Sequence, residues 1–121
     1  MVLVSGAGPV GMTMAMSLKR LGVAVRIIDK NAERTDKSKA LVIWPRTLEL
    51  LDIQGCAQAF VAAGMKGSGA RMLAGGKELV HVRFDTARSA YRFALLIPQS
   101  ETERVLEAEL AKLGVRVERQ V

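Results

Sequence analysis

The sequence has little of what extracellular and membrane-spanning proteins rely on. Its single cysteine, Cys56, cannot form an intramolecular disulfide, which is typical of a reducing compartment. No apolar run approaches the roughly 18 residues that a membrane-spanning helix requires. The first residues also lack the basic cluster that opens a signal peptide. We therefore expect a cytoplasmic protein with no membrane span.

Aromatic side chains are also scarce, at 4% of the chain. The net charge of +6 could attract a nucleic acid or an anionic small molecule. Because Lys and Arg are scattered and few rings are available to stack on bases, we expect no nucleic acid partner. No Cys/His spacing of a metal site is present either, and no Ser-His-Asp set is recognisable, so we expect no metal and can name no catalytic residue.

What the sequence does contain is a glycine-rich turn between an apolar run and a helix-forming segment. In a strand-turn-helix that receives a diphosphate, the first glycine makes the turn and the second lets the phosphates approach. The third lets the helix pack closely on the strand. A proline suits the first helical turn, where the helix dipole attracts anions. The positions concerned are Gly6, Gly8, Pro9, Val10 and Gly11.

A second apolar run, residues 23–28, ends in Asp29, eighteen residues beyond Gly11. An acidic residue at about this spacing, at the tip of the second strand, is placed to accept hydrogen bonds from a ribose. The pattern predicts a dinucleotide-binding β-α-β unit. An ordinary β-α-β unit with a glycine turn would leave the position of Asp29 unexplained.

The remaining periodicity predicts an α/β fold with an inserted segment of helices and a β-hairpin. In the first helix Val10, Met14, Leu18 and Leu21 lie at helical spacing, with Met12 and Met16 on a flanking face, so we expect burial on more than one face. In the hairpin we expect Val80, Val82 and Phe84 to face a core. Ser100 and Glu103 are spaced as a capping box that opens the last helix. The predicted ranges are a loop over 30–40, helices over 45–54 and 56–63, a turn over 66–69, strands over 70–74, 77–84 and 91–97, and a last parallel strand over 115–118.

About eighty residues separate Asp29 from that last strand, which argues against a plain nicotinamide-binding domain. Three ordered blocks instead resemble the FAD-dependent aromatic-ring hydroxylases, flavoprotein monooxygenases that include phenol and para-hydroxybenzoate hydroxylases. The blocks are residues 6–11 with Asp29 and Lys30, residues 38–55, and residues 97–106. The resemblance implies a Rossmann-like FAD-binding β-α-β within an incomplete three-layer domain, with residues 1–121 as the amino-terminal portion of that domain.

The resemblance also implies roles for individual residues. Gly6, Gly8 and Gly11 would hold the FAD diphosphate, and Asp29 the adenosine ribose, with Lys30 near the adenosine. Lys39 takes the position of a basic residue that contacts the flavin nucleotide; many members have Arg there, and Lys acts only as a point charge. Gln99 would contact the ribityl or phosphate region, and a backbone group of Val121 the adenine. Arg46 is either a neighbour of the cofactor or a surface residue.

By resemblance, the parent enzyme reduces FAD with NAD(P)H and then uses O₂ to hydroxylate a small phenolic substrate. Later blocks of the family that face the flavin are absent from these 121 residues, so we expect this chain alone to be inactive and to bind FAD weakly at most. Two alternatives stay open: part of an FAD-dependent reductase or dehydrogenase, and a non-catalytic dinucleotide-binding module. An exposed sheet edge would also make self-association plausible.

Overall fold

The computed structural model describes residues 1–37 and 42–121, and its strands and helices alternate in an α/β arrangement, as predicted. The chain divides into two compact units, which comprise the described residues 1–37 with 98–121, and 42–97. The elements, in chain order, are β1 (Val2–Ser5), α1 (Pro9–Arg20), β2 (Val25–Asp29), β3 (Val42–Ile43), α2 (Pro45–Ile53), α3 (Ala57–Ala63), β4 (Met65–Gly67), β5 (Gly69–Ala74), β6 (Lys77–Arg83), β7 (Ala94–Leu96), α4 (Gln99–Lys112) and β8 (Val117–Arg119).

The first unit is built on a three-stranded parallel sheet with the order β1-β2-β8. Val4 pairs with Ile27, which pairs in turn with Val117, so these three side chains share one face. Ile27 is fully buried there. The predicted third parallel strand is thereby confirmed. Because all three strands run in the same direction, their carboxyl ends meet at one edge, where α/β sheets bind ligands.

Helix α1 buries only part of the surface predicted to be buried. Met12, Ala15 and Met16 are fully buried, whereas Val10 is 84% exposed and Met14 53% exposed. The expected burial was therefore wrong at Val10 and Met14, and the flanking face with Met12 and Met16 is the buried one. The physical reason is the close packing of Gly11 against the strand-to-helix turn, which directs the face with small or flexible side chains inward. The chain pattern shows apolar residues on both faces, so periodicity could not decide between them.

Helix α4 begins one residue earlier than the predicted capping box. Pro98 takes the N-cap position, and no side chain caps the helix. The Gln99 Nε2 donates to Glu103 Oε1 at 2.9 Å. The Glu103 carboxylate therefore accepts a hydrogen bond from a side chain and not from a backbone N–H group at the start of the helix. The capping box was thus a wrong prediction. The apolar stripe of this helix is confirmed, since Val105, Leu106 and Leu110 are buried.

The second unit contains the antiparallel sheet β3-β7-β4 together with α2 and α3. Leu48 and Leu51 of α2 are buried as predicted, and Phe60 of α3 is fully buried. The turn predicted over 66–69 is wrong, because Met65–Gly67 form strand β4 and pair with β7. Just before this strand, Gly64 permits close approach to β7, since a Cβ there would lie 2.8 Å from the Leu95 side chain.

Strands β5 and β6 form the predicted hairpin, with Gly75 and Gly76 at positive φ in its turn. The expected buried face is absent: every residue of both strands is exposed, including Val80 at 48% and Val82 at 43%. Phe84, just beyond β6, is buried and meets Trp44 edge-on at 5.5 Å between ring centroids. Alternation along a strand predicts two faces, but it does not supply the second layer that would cover one of them.

Candidate functional site

The glycine loop between β1 and α1 has the three features predicted for it. Gly6 adopts φ +100°, a conformation that other residues rarely take, and its N–H donates to Ile28 O at 2.8 Å. A Cβ on Gly11 would lie only 1.9 Å from Gly6 O, so the helix rests directly on the turn. A Cβ on Gly8 would meet nothing within 4 Å. The loop therefore presents open backbone at Gly8, next to the first turn of α1.

Pro9 is the first residue of α1, and Gly8 is its N-cap. Proline has no N–H, and the next N–H groups of a first helical turn have no intrahelical partner. Those groups, together with the positive end of the helix dipole, point out of the helix beside Gly8. The geometry is that of an anion site formed by backbone alone.

Asp29, the last residue of β2, holds this loop in place. Its Oδ2 accepts a hydrogen bond from the Ala7 N–H at 2.7 Å, and its Oδ1 accepts one from the Asn31 N–H at 2.8 Å. The bond from Ala7, followed by the bond from Asn31, lowers the pKa of the Asp29 carboxyl against the opposing effect of burial. Asp29 is therefore ionised at neutral pH. Each oxygen keeps a lone pair for a ligand hydroxyl.

A cavity of about 230 Å³ opens between the glycine loop and the start of α4. Gln99 lines it, and its amide is held by Glu103, a carboxyl only 4% exposed. Arg119, at the end of β8, lines the same cavity. The full lining is Ala7, Gly8, Asp29, Asn31, Glu33, Arg34, Thr35, Gln99, Glu103 and Arg119.

A second cavity, also of about 230 Å³, lies on the other side of Asp29. Lys30 and Val121 line it together with Gly6, although they are far apart in sequence. The Val121 N–H donates to Asp29 O at 3.2 Å, which fixes the backbone beyond β8 against the end of β2. Asp29 thus stands between two cavities, one beside the glycine loop and one beside Val121. This layout suits an elongated dinucleotide whose ribose lies at Asp29, between its adenine and its diphosphate.

The predicted site residues that line the two cavities beside Asp29 are Gly6, Gly8, Asp29, Lys30, Gln99 and Val121. Pro9 and Val10 line a shallow apolar depression beside Gly8 and Gly11. Lys39 lies outside the described residues. Arg46 belongs to the second unit, where it is exposed and paired with Glu49 at 2.7 Å, the arrangement of a surface helix residue.

Several residues of the site were missed by sequence reasoning: Asn31, Arg34, Glu103, Glu107 and Arg119. Two signals could have found some of them. Gln99, Glu103 and Glu107 recur every four residues and so share one face of a helix. The position of Arg119 could have been predicted by placing the last predicted strand beside the second, because Arg119 is then the register partner of Asp29. The loop residues Asn31 and Arg34 carry no such signal.

Within residues 1–37 and 42–121, no group of three or more His, Cys, Asp or Glu side chains is arranged to hold a metal ion. No helix among these residues is long and apolar enough to cross a membrane. The chemistry of the site is that of backbone N–H groups, the carboxylates of Asp29, Glu33 and Glu103, side-chain amides and nearby basic side chains. Such a set suits a ligand with a diphosphate and ribose hydroxyls.

Known proteins resemble this chain in both sequence and fold. The family described as "FAD binding domain" matches residues 1–121. The 6-methylpretetramide 4-monooxygenase of Streptomyces rimosus is 42% identical over 121 residues, which cover 97% of this chain and 21% of that protein. The chain thus spans about a fifth of the length of such curated relatives.

Two solved structures superpose closely on this chain. Anhydrotetracycline hydroxylase from Streptomyces rimosus does so with a TM-score of 0.84 and 33% identity, over 98% of this chain and 24% of that one. The p-nitrophenol 4-monooxygenase of Pseudomonas putida DLL-E4 gives a TM-score of 0.89 at 23% identity, over 98% of this chain and 31% of its own. The latter likeness concerns the fold alone.

Proposed function

The chain belongs to the FAD binding domain family, and from this membership we propose that it is the FAD-binding portion of a flavin-dependent monooxygenase that hydroxylates aromatic substrates. We further propose that residues 1–121 form the amino-terminal portion of that domain. The names of the relatives, 6-methylpretetramide monooxygenase and anhydrotetracycline hydroxylase, favour this activity over that of a reductase or a non-catalytic module.

One observation carries the proposal: Asp29 stands between two cavities that are lined by the glycine loop, Gln99, Lys30 and Val121. A dinucleotide has negative charge at its centre and hydroxyls on either side. The open backbone at Gly8 and the helix start beside it suit the charge, and the ionised Asp29 suits the hydroxyls. The residues present therefore fit FAD.

Each residue then has a distinct task in holding the cofactor. The loop of Gly6, Gly8 and Gly11 receives the diphosphate, with Pro9 and Val10 forming the first turn of the helix behind it. Asp29 accepts hydrogen bonds from the adenosine ribose. Gln99, oriented by Glu103, donates to the ribityl or phosphate oxygens. Lys30 and the backbone at Val121 enclose the adenine, and Lys39 supplies a further positive charge to the flavin nucleotide.

FAD, when bound, supplies the redox chemistry by which NAD(P)H and O₂ are used to hydroxylate a small aromatic ring. The residues of this chain position the nucleotide end of the cofactor and balance the negative charge of its diphosphate. Substrate recognition and the exclusion of water fall to parts of the protein outside these residues. The single cysteine favours a cytoplasmic protein. Self-association through the exposed edge of β1 is also proposed.

Titration of the purified 121-residue chain with FAD, followed by flavin fluorescence, tests the cofactor. We expect saturable but weak binding that ADP competes for, since ADP carries the diphosphate and adenosine of FAD. Gly8→Val should abolish binding, because a side chain here fills the space where the phosphates approach, while its Cβ would have no protein atom within 4 Å. Asp29→Ala should weaken binding by about tenfold or more through the loss of a charge-assisted hydrogen bond.

Two controls make the titration decisive. Asp36→Ala removes an exposed carboxyl from the loop that follows β2 and Asp29, and it should leave the affinity for FAD unchanged. NADPH, added as a competitor, should displace FAD poorly. A folded chain that binds NADPH but not FAD would instead have a nicotinamide site, and a folded chain that binds neither would overturn the proposal.

A further inference from the structure

Glu107, near the middle of α4, binds two arginines at once. Its Oε2 accepts a hydrogen bond from Arg34 Nη1 at 2.6 Å, and its Oε1 accepts one from Arg119 Nη2 at 3.2 Å. Burial raises the pKa of the Glu107 carboxyl, but the hydrogen bonds from the two arginines together lower it below its ordinary value. This Arg34–Glu107–Arg119 bridge joins the loop after β2, helix α4 and strand β8.

The sheet places Arg119 beside Asp29. The two residues are register partners at the carboxyl ends of β8 and β2. Arg119 lines the cavity that Ala7 and Gly8 also line, and its side chain is only 18% exposed. It is therefore a largely desolvated positive charge that shares a cavity with the glycine loop. Arginine in such surroundings is well suited to bind a diphosphate.

The bridge also forms a wall between two cavities. Arg34 and Arg119 line both the cavity at the glycine loop and a larger neighbouring cavity of about 480 Å³, whereas Glu107 lines only the larger one. Glu107 therefore binds the two guanidinium groups on the side away from the glycine loop, at the larger cavity. Without the Glu107 carboxylate, the side chains of Arg34 and Arg119 would be free to move between the two cavities. Binding a ligand would then have to order both side chains, and the lost conformational entropy would weaken the affinity.

We propose that Arg119 is an additional diphosphate-binding residue and that Glu107 positions it, with Arg34 completing the bridge. The inference rests on the proposed FAD site. Arg119 adds a side-chain cation, from the β8 side of the glycine loop, to the backbone N–H groups at the start of α1. Glu107 does not touch the cofactor; it holds the Arg119 guanidinium at the cavity so that the diphosphate meets an ordered partner.

The test measures the affinity of Arg119→Gln and Glu107→Gln variants of the same chain for FAD and for ADP. Arg119→Gln should weaken both ligands by about tenfold, since a hydrogen bond between charged groups is lost. Glu107→Gln should also weaken both ligands. If Arg119 acted only through its charge, removing the neighbouring negative charge would tighten binding instead, so the direction of this change separates positioning from simple attraction. The double variant should bind no more weakly than Arg119→Gln, because the two residues act as one unit.

The Arg26–Glu118 pair provides a matched control. It joins β2 and β8, the strands that carry Asp29 and Arg119, at 2.7 Å, and neither residue lines either cavity. Arg26→Gln and Glu118→Gln repeat the same charge changes and should leave both affinities unaltered. Raising the salt concentration should weaken FAD binding less in Arg119→Gln than in the unaltered chain, a readout that a purely structural role would not change.

Each outcome has one meaning. An Arg119→Gln variant that binds FAD as well as Arg26→Gln does, or a Glu107→Gln variant that binds FAD equally well or more tightly, overturns the inference while the FAD site stands. An unaltered folded chain that binds no FAD overturns the proposed function and this inference with it. If Arg119→Gln fails to fold, Arg119→Lys replaces it and should still weaken binding, because lysine keeps the charge but lacks the planar fork that Glu107 orients.

Discussion

Gly8 and Gly11 are three residues apart, yet their surroundings assign them opposite sensitivities to substitution. Gly11→Ala places a methyl group against Gly6 O, a backbone atom that cannot move independently. We expect a loss of about 1–3 kcal/mol in the free energy of unfolding, as for other overpacked sites. Gly8→Ala, with open space around its Cβ, should cost less than about 1 kcal/mol as an N-cap replacement. Urea unfolding of both variants measures the difference, and equal losses would contradict it.

Asp29 gives the stability of the chain a defined dependence on pH. Its folded-state pKa lies below the ordinary value of about 3.9, because the backbone N–H groups of Ala7 and Asn31 bond to the ionised form. Its contribution is therefore fully present above that value and is lost as the pH falls through the folded-state pKa. We expect Asp29→Asn to be less stable than the unaltered chain by about 1–3 kcal/mol at pH 7. The difference should shrink as the pH falls below about 4.

Urea unfolding of both chains at neutral and acidic pH tests this dependence. Asp36→Asn is the control, since it makes the same change in an exposed loop carboxyl and should stay within about 0.5 kcal/mol of the unaltered chain at pH 7. A difference between Asp29→Asn and the unaltered chain that persisted unchanged into acid would show that the charge of Asp29 does not hold the loop.

At the scale of single residues, the sequence predicts best where covalent geometry alone decides. The tasks of Gly6, Gly11 and Pro9 follow from φ restrictions and missing atoms, and the structure confirms their conformations. The second task of Asp29, as acceptor for the Ala7 N–H, depends on how the turn folds back across a distance of 22 residues. Local sequence carries no information on that contact.

Helix α1 offers the sharpest comparison at the scale of an element, because it carries methionines on both faces. Met16 is fully buried and Met14 is 53% exposed. Met16→Ala should lower the free energy of unfolding by about 2–4 kcal/mol, the usual cost of emptying a core position. Met14→Ala should change it by about 0.5 kcal/mol or less. Chemical unfolding of the pair decides between the observed buried face and the stripe of Val10, Met14, Leu18 and Leu21 that periodicity predicted.

Elements formed by local pattern were predicted well, whereas contacts set by neighbouring side chains or distant strands were missed in several places. The ends of α2 and the turn of the β5–β6 hairpin follow from proline and glycine positions. The capping box at Ser100 and Glu103 failed because Gln99 competes for the same carboxylate. The turn predicted over 66–69 failed because Met65–Gly67 pair with β7, a strand distant in sequence that local pattern does not reveal.

For the molecule as a whole, the parallel sheet of the first unit has two edge strands, β1 and β8, whose outer sides have no strand partner among the described residues. β1 pairs with β2 alone, and its Leu3 is 57% exposed. The N–H groups of Val2 and Gly6 point toward β2, so those of the residues between them alternate toward the open side. An unpaired apolar edge of this kind is a template for a strand of another copy.

We therefore expect the 121-residue chain to self-associate in a concentration-dependent manner in sedimentation velocity experiments. Leu3→Lys should shift the population toward the monomer, because a charged side chain on an edge strand opposes pairing with a second copy. Leu21→Lys adds the same charge at an exposed leucine beyond the end of α1, away from the edge, and should sediment like the unaltered chain. If both variants shift toward the monomer to the same extent, net charge and not the β1 edge controls association. If the unaltered chain stays monomeric at all concentrations, the β1 edge does not pair with a second copy in solution.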